Sequence, residues 1–246
     1  MPETTATTAP TDGPGGAGGP GSARRGTART AVARRDPEGT RREILEAAIE
    51  EFSTHGLMGG RVDAIAERTR STKRMIYYYF RSKEQLYAEA LLESYRRIRA
   101  TEVGLHLDER DPAEALRLLV RSNVQHHEQN PAFVRLVVFE NLLEAGAIHL
   151  MSDEVRAANR SAVTIIEDIL RRGREQGVFR AGPDAPTALD VQEVISGLAF
   201  QRVSNRSTFR ELFGRDMLGE QESVHVRAMI EDVVLRFVLA DPADAA

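Results

Sequence analysis

Between Thr72 and Lys83 the chain reads Thr-Lys-Arg-Met-Ile-Tyr-Tyr-Tyr-Phe-Arg-Ser-Lys. Hydroxyls, cations and three phenols packed this closely suit the grip of a polyanion rather than bond-making chemistry. On a helix Ile76 and Phe80 lie four apart and share an inward side. That turns Thr72, Lys73, Arg74, Met75, Tyr78 and Tyr79 outward. Arg74 can fork onto a guanine edge, and Met75 can meet a thymine methyl. The hydroxyls of Tyr77, Tyr78 and Tyr79 can bond phosphates, contacts that position without specifying. Three consecutive helical residues spread over about 200°, so the tyrosines cannot all be core. At least one ring must be exposed, which is unusual without a partner. Lys83, beside the free amides of a helix start, makes a phosphate clamp. Arg61, ahead of another short helix, can serve the opposite backbone.

Those side chains need rigid supports. Thr40-Arg41-Arg42-Glu43 has the form of a capping box and predicts a helix start. Ile44, Ala47, Ala48, Ile49 and Phe52 make one apolar face, and Gly56 is placed to stop the helix. A second short helix fits Val62 to Arg68, with Val62, Ile65 and Ala66 inward. A third fits Thr72 to Phe80. Ser82-Lys83-Glu84-Gln85 is another capping box, opening a long helix through Leu86, Leu91, Tyr95 and Ile98 to about Thr101. Three short amphipathic helices separated by tight breaks are the outline of a helix-turn-helix DNA reader.

Ala48, Phe52, Gly56, Ile65-Ala66, Tyr77, Phe80 and Ser82-Lys83-Glu84-Gln85-Leu86 resemble, in order and spacing, the N-terminal domain of the tetracycline-repressor (TetR) family. The match covers about residues 40–90. The resemblance implies an all-α homodimer with a three-helix helix-turn-helix DNA-binding domain, a fourth linking helix, and a larger helical ligand-binding and dimerisation domain. Two departures stand out. The family usually has glycine in the turn, where this chain has Arg70, so a strained left-handed backbone is expected there. The family often caps the second helix with Ser or Thr, whereas Gly59 and Gly60 stand here and cap weakly.

Beyond Asp111 the breakers delimit further helices near 112–129, 131–145, 153–176, 184–205 and 219–239, and 207–218 reads as loop or short helix. No segment alternates with period two, so strands are not expected. The wide stripes Ala158, Ala162, Ile165, Ile166, Ile169, Leu170 and Val191, Val194, Ile195, Leu198, Ala199, Val203 suit either a four-helix dimer interface or an internal core. Gly197 in the second helix allows close packing or leaves room for a ligand. The apolar run Phe133 to Leu143, with text through His149, Met151 and Ser152, resembles the C-terminal domain of a TetR subgroup that includes pyrimidine- and nicotinate-responsive repressors. A small-molecule effector pocket is expected at Phe133, Val137, Glu140, Asn141, Phe200 and Gln201, since a specific site needs polar groups in an apolar wall. A packed core with Glu140 at the surface is the alternative.

Composition narrows the classes. The chain has 246 residues, 41% of them hydrophobic, no cysteine, and a net charge of −4. No apolar run nears the length of a membrane span, and Met1 to Gly21, lacking an apolar segment preceded by cations, is not expected to act as a secretory signal. Without cysteine there are no disulfides or thiolate ligands, which fits a cytoplasmic protein. Residues 1–83 carry 14 Lys and Arg against 10 Asp and Glu, while residues 84–246 carry 19 against 27. A cationic third beside an acidic remainder points to a polyanion partner at one end. Residues 1–38 are Gly- and Pro-rich and read as disordered. Their Arg24, Arg25, Arg29, Arg34 and Arg35 suit either a minor-groove arm or a solubilising tail.

The remaining candidates are weaker. Gly13-Pro14-Gly15-Gly16-Ala17-Gly18 has the letters of a dinucleotide loop without its strand or helix. His126 and His127 are adjacent, not i, i+4, and read as surface histidines, so no metal is expected; a site using His127, Glu128 and a distant His149 is the alternative. Arg171-Arg172-Gly173-Arg174 reads as a solvated face. No activated nucleophile, phosphate loop or metal triad is present, so neither enzyme nor cofactor is expected. The domains expected are the arm to 38, a reader at 39–84, a regulatory domain at 85–240 and a tail at 241–246. The rival reading is a helical small-molecule binder or scaffold with vestigial DNA binding.

Overall fold

The computed structural model describes residues 36–142 and 153–240. The basic arm up to residue 35, the stretch holding His149, Met151 and Ser152, and the tail at 241–246 lie outside the described residues. So does the side chain of Ala158. The helices are α1 (Pro37–Gly59), α2 (Val62–Arg68), α3 (Lys73–Phe80), α4 (Lys83–Val103), α5 (Pro112–Gln129), α6 (Pro131–Leu142), α7 (Asp153–Glu175), α8 (Ala188–Ser204), α9 (Arg206–Phe213) and α10 (Glu220–Val238). A 3-10 turn at Leu107–Glu109 precedes α5. Among the described residues there is no strand, only a single bridge between Phe179 and Leu239.

α1 begins earlier than its expected capping box. Asp36 accepts from the Glu38 amide at 3.1 Å, and Pro37 occupies the first turn, where its missing N–H costs nothing. Thr40 is already helical and donates its hydroxyl to the Asp36 carbonyl at 2.9 Å. At Gly56 the chain leaves helical geometry with φ 65° and ψ −178°, a region open to glycine. The ambiguous stretch after α8 forms the short helix α9. α8 itself starts later than expected, behind a full Thr187–Asp190 capping box.

Two hydrophobic clusters divide the described chain. The first joins Ile44, Ala48 and Phe52 of α1, Ile65 of α2, Ile76 and Phe80 of α3, and Leu86 and Leu91 of α4 to Phe133, Val134 and Leu136 of α6. The second joins α5, α7, α8 and α10. There Ala162, Ile166, Ile169 and Leu170 of α7 and Val191, Ile195 and Ala199 of α8 are buried. Of the two alternatives open for the α7 stripe, internal core is the one the structure shows. Its period of 3.6 shows that a face is covered, not by which chain. The arginine run is likewise not simply a solvated face. Arg172 donates to the carbonyls of Leu107 and Arg110, and Arg174 to those of Arg180 and Pro186.

Candidate nucleic-acid interface and effector cavity

α3 is short and held from one side. Ile76 and Phe80 are fully packed below it, and Thr72 caps it by accepting from the Met75 amide at 3.3 Å. Thr72, Lys73, Arg74, Tyr77 and Tyr78 are exposed, Tyr78 by 81%. Arg74 makes no hydrogen bond or ion pair among the described residues. Lys73 is held by Asp63 of α2 at 3.1 Å. Met75 and Tyr79 are half-buried, and Tyr79 packs against the first cluster. The expectation that Met75 and Tyr79 point fully outward is corrected for both; Tyr79 falls one helical step beyond Tyr78, towards the Phe80 side, and its ring meets Phe80 at 6.2 Å. Lys83 opens α4, where Ser82 caps the Gln85 amide at 3.1 Å, and its Nζ reaches the Met58 carbonyl at 3.3 Å. Arg61 is exposed at the N-cap of α2.

The two departures from the family pattern resolve differently. Arg70 is not left-handed; the positive-φ residues other than glycine among those described are Arg81 and His106. The expected strain in the turn is therefore absent. α2 has no side-chain cap of its own, as the glycines suggested. Glu51 of α1 supplies one from outside. Only 2% exposed, it accepts the Arg61 amide at 3.0 Å, meets the Arg68 guanidinium at 3.1 Å, and lies 3.4 Å from the His55 ring. One buried carboxylate thus ties both ends of α2 to α1. A free amide at a helix start favours an anionic acceptor.

At the other end of α4 a cavity of about 370 Å³ opens between α4, α5, α6 and α8. Its wall is built from pairs and triplets spaced by four: Tyr95 with Arg99, Asn123 with His127, Phe133 with Val137 and Asn141, and Gln192 with Ser196 and Phe200. Gly197 completes it, and a Cβ there would meet nothing within 4 Å. Gly197 therefore leaves room rather than allowing close packing. The rings of Tyr95 and Phe133 lie 5.4 Å apart, and those of Phe133 and Phe200 5.8 Å.

Four of the six residues expected here line the cavity: Phe133, Val137, Asn141 and Phe200. Glu140 and Gln201 do not. Glu140 is 1% exposed, so it is neither surface nor wall. It sits against Tyr87 and Tyr95: burial first and the Glu140 charge second push the Tyr87 phenol up, and burial raises Tyr95 against the opposing Arg99 charge, with Glu140 adding to the rise. Gln201, one step round from Phe200, faces a second cavity with Leu198, Arg202 and His225. The wall residues missed were Tyr95, Ile98, Arg99, Asn123, His127, Gln192 and Ser196. The signal that could have found the polar ones is an i, i+4 polar pair on an otherwise inward helix face.

The histidines are also corrected. His126 and His127 are buried, not surface. Burial lowers both, His127 to about 4, so its imidazole is neutral. Its Nδ1 bonds the Asn123 carbonyl at 2.6 Å. Beneath them Arg99 pairs with Glu102 at 2.7 Å, and Asn123 donates to Glu102 at 2.9 Å. Burial holds the Arg99 guanidinium below its ordinary range and raises the Glu102 carboxyl. Among the described residues no cluster of three or more His, Asp or Glu could hold a metal ion. No described helix is long and apolar enough to cross a membrane.

A helix-turn-helix unit with an open third helix, joined by one continuous helix to a hollow all-helical body, defines the class of one-chain helical transcription regulators. Comparison with known proteins makes the assignment specific. Residues 44–90 match the family model of bacterial regulatory proteins of the tetR family, and residues 112–234 match the tetracyclin repressor-like C-terminal domain. The chain is 34% identical over 210 residues to the HTH-type transcriptional repressor NicS of Pseudomonas putida, covering 85% of this chain and 97% of that protein. It is 30% identical to the HTH-type transcriptional repressor SCO4008 of Streptomyces coelicolor, over 64% of this chain and 77% of the other. Among solved structures, the putative regulator SCO4942 of Streptomyces coelicolor superposes with a TM-score of 0.60 at 26% identity, covering 81% of this chain and 98% of that one. A tetR-family regulator from Rhodococcus RHA1 shares the fold with a TM-score of 0.64 at 20% identity, over 82% and 98%. The chain belongs to the TetR family and is a DNA-binding transcriptional repressor.

Proposed function

We propose that two copies of this chain bind a palindromic operator in the cytoplasm and that a small molecule in the α4–α5–α6–α8 cavity releases them. No catalytic step is assigned. Arg74 would read a base edge, with Met75 beside it. Thr72, Lys73, Tyr77, Tyr78, Arg61 and Lys83 would hold the backbone, while Tyr79 supports the helix from below. The observation that carries the reading is α4. Its first turn bears Lys83 and the Ser82 cap against the reader, and its later turns bear Tyr95, Ile98 and Arg99 in the cavity wall. A helix of 21 residues is a rod of about 30 Å, so a change at one end is felt at the other.

Dimerisation supplies what one short helix lacks, since half-sites about one turn apart multiply the contacts. The surface that suits a partner copy is formed by α8 and α10, where Leu189, Val224, Met229 and Val233 are exposed. Ligand would favour a spacing of the two α3 helices that misfits successive major grooves. Release by 100-fold needs a coupling of about 2.7 kcal/mol. The test is selection of genomic fragments by the purified chain, then titration of the enriched site. Two chains per site and an inverted repeat are expected. One chain per site, or no enriched sequence, would refute the reading.

A further inference from the structure

A single residue joins the reading helix to the long helix behind it. α3 ends at Phe80, Ser82 caps α4, and Arg81 stands between them with φ 62° and ψ −51°. The Ser82 N–H donates to the Phe80 carbonyl at 2.6 Å, and the Arg81 N–H donates to that of Tyr77 at 2.9 Å. A hydrogen bond that closes around one residue of positive φ makes a γ-turn of the rare, strained kind. Glycine suits such a turn, because a Cβ crowds the backbone at positive φ. Elsewhere the chain follows that preference. Gly56, Gly177, Gly182 and Gly214 take four of the other five positive-φ positions among the described residues.

Nothing inside the subunit accounts for an arginine there. Arg81 is exposed, and its guanidinium makes no hydrogen bond or ion pair among the described residues. Glu84, the nearest acid in sequence, is engaged by its own amide and by the Ser82 hydroxyl, which hold its carboxyl below the ordinary range. Lys83 already has its Nζ on the Met58 carbonyl. Because the Arg81 N–H still bonds Tyr77 as a helical residue would, its Cα continues the α3 turn. It lies seven places after Arg74 and three after Tyr78, the spacing of one helix face. Strain of this kind collects where function overrides local preference. Resting on α3 as the reading element, we propose that Arg81 is a further operator contact, its guanidinium pairing with a DNA phosphate. The chain keeps the less stable side chain at a turn suited to glycine because the contact needs a cation.

The test compares the full-length chain with Arg81→Gly, Arg81→Ala and Arg81→Lys, by thermal melts and by anisotropy on the selected operator across salt. Neither glycine nor alanine carries charge, so their difference isolates the turn. Arg81→Gly should melt about 2–4 °C above Arg81→Ala, the reverse of the order that unfolded-chain entropy gives at an ordinary position. Both should bind the operator several-fold more weakly. Both should also reduce the magnitude of the slope of log K against log salt by about 1.8 for a dimer, at about 0.9 per phosphate. Arg81→Lys should recover that slope, since lysine also meets phosphate as a cation. Arg81→Gly melting at or below Arg81→Ala overturns the proposal. So does a wild-type slope in the glycine and alanine forms, or a slope in Arg81→Lys no steeper than in Arg81→Ala. Arg74→Ala with Tyr78→Ala is the control. If that variant loses the operator while Arg81→Gly keeps wild-type affinity and slope, α3 stands as the reader and only the Arg81 assignment fails. If the double variant also keeps the operator, the reading element itself is wrong, and Arg81 falls with it.

Discussion

The α3 face and the cavity wall are opposites in construction. α3 gathers its chemistry from twelve neighbouring positions, Thr72 to Lys83, and leaves it exposed, with Arg74 uncommitted. The wall gathers its chemistry from four helices, and many of its polar groups already have partners inside the subunit. A surface that waits for a polyanion can stay unpaired because water serves it meanwhile. A buried wall must satisfy most of its polar atoms at once, and only the remainder is available to a ligand. Specificity on α3 is therefore carried by what projects, and in the cavity by what is left over.

The sharpest way to break this contrast is to strip the projecting groups. Arg74→Ala with Tyr78→Ala should remove about 2 kcal/mol of operator binding per subunit, so about 1,000-fold for a dimer. Anisotropy on the selected operator measures it, and circular dichroism should show an unaltered melt. Operator affinity within a few-fold of wild type would mean that α3 is not the reading element.

The cavity side is tested next through pH. His127 titrates near 4 when folded and near 6.5 when unfolded. Between those values the unfolded chain binds the proton and the folded chain resists it, so stability falls as pH falls. The loss is complete near pH 4 and amounts to about 3 kcal/mol. Urea melts from pH 7 to 4 should show the slope, and His127→Phe should make it shallower, leaving the part that buried His126 contributes. A slope equal in both proteins would assign the acid sensitivity to other groups. α3, carrying no buried histidine, should add nothing to this window.

The legibility of the two regions follows from the same contrast. The outward side of α3 was readable because Ile76 and Phe80 fix the register and every other side chain is then determined. Tyr79 was misplaced by one step, since three like residues in a row give periodicity little to work with. In the cavity, Phe133, Val137, Asn141 and Phe200 were found because they sit in apolar text. Arg99, Asn123 and His127 were not, because a polar residue in a linear string looks solvent-facing until another helix covers it. Glu140 and Gln201 failed for geometric reasons, each pointing one helical step off the wall. The capping carboxylate Glu51 could not be inferred from the second helix at all, because it is supplied from ten residues upstream.

Glu51 gives a smaller effect that sharpens the comparison, as it is a buried group serving the exposed face. Glu51→Gln keeps an acceptor for the Arg61 amide but removes the charge that holds Arg68. Because Arg68 is partly exposed, the loss should be about 1 kcal/mol of stability, with a several-fold weaker operator complex. Chemical melts and operator titration together check it. Lost stability with undiminished DNA binding would show that Glu51 holds the core without orienting the reader.

Lys83 is the finest test, because its placement allows two jobs. Its Nζ reaches the Met58 carbonyl, which would brace the end of α1, and it also stands at the first turn of α4, where a phosphate would sit. Lys83→Ala weakens binding by a few-fold under either account, so affinity alone does not separate them. Salt dependence does. A lost phosphate contact in each subunit should reduce the magnitude of the slope of log K against log salt by about 1.8 for a dimer, at about 0.9 per contact. A lost brace should leave the slope as it was and lower stability instead. If the slope stays fixed, Lys83 belongs to the interior scaffold along with Glu51, and the boundary between the two kinds of construction runs closer to α3 than the exposed charges suggest.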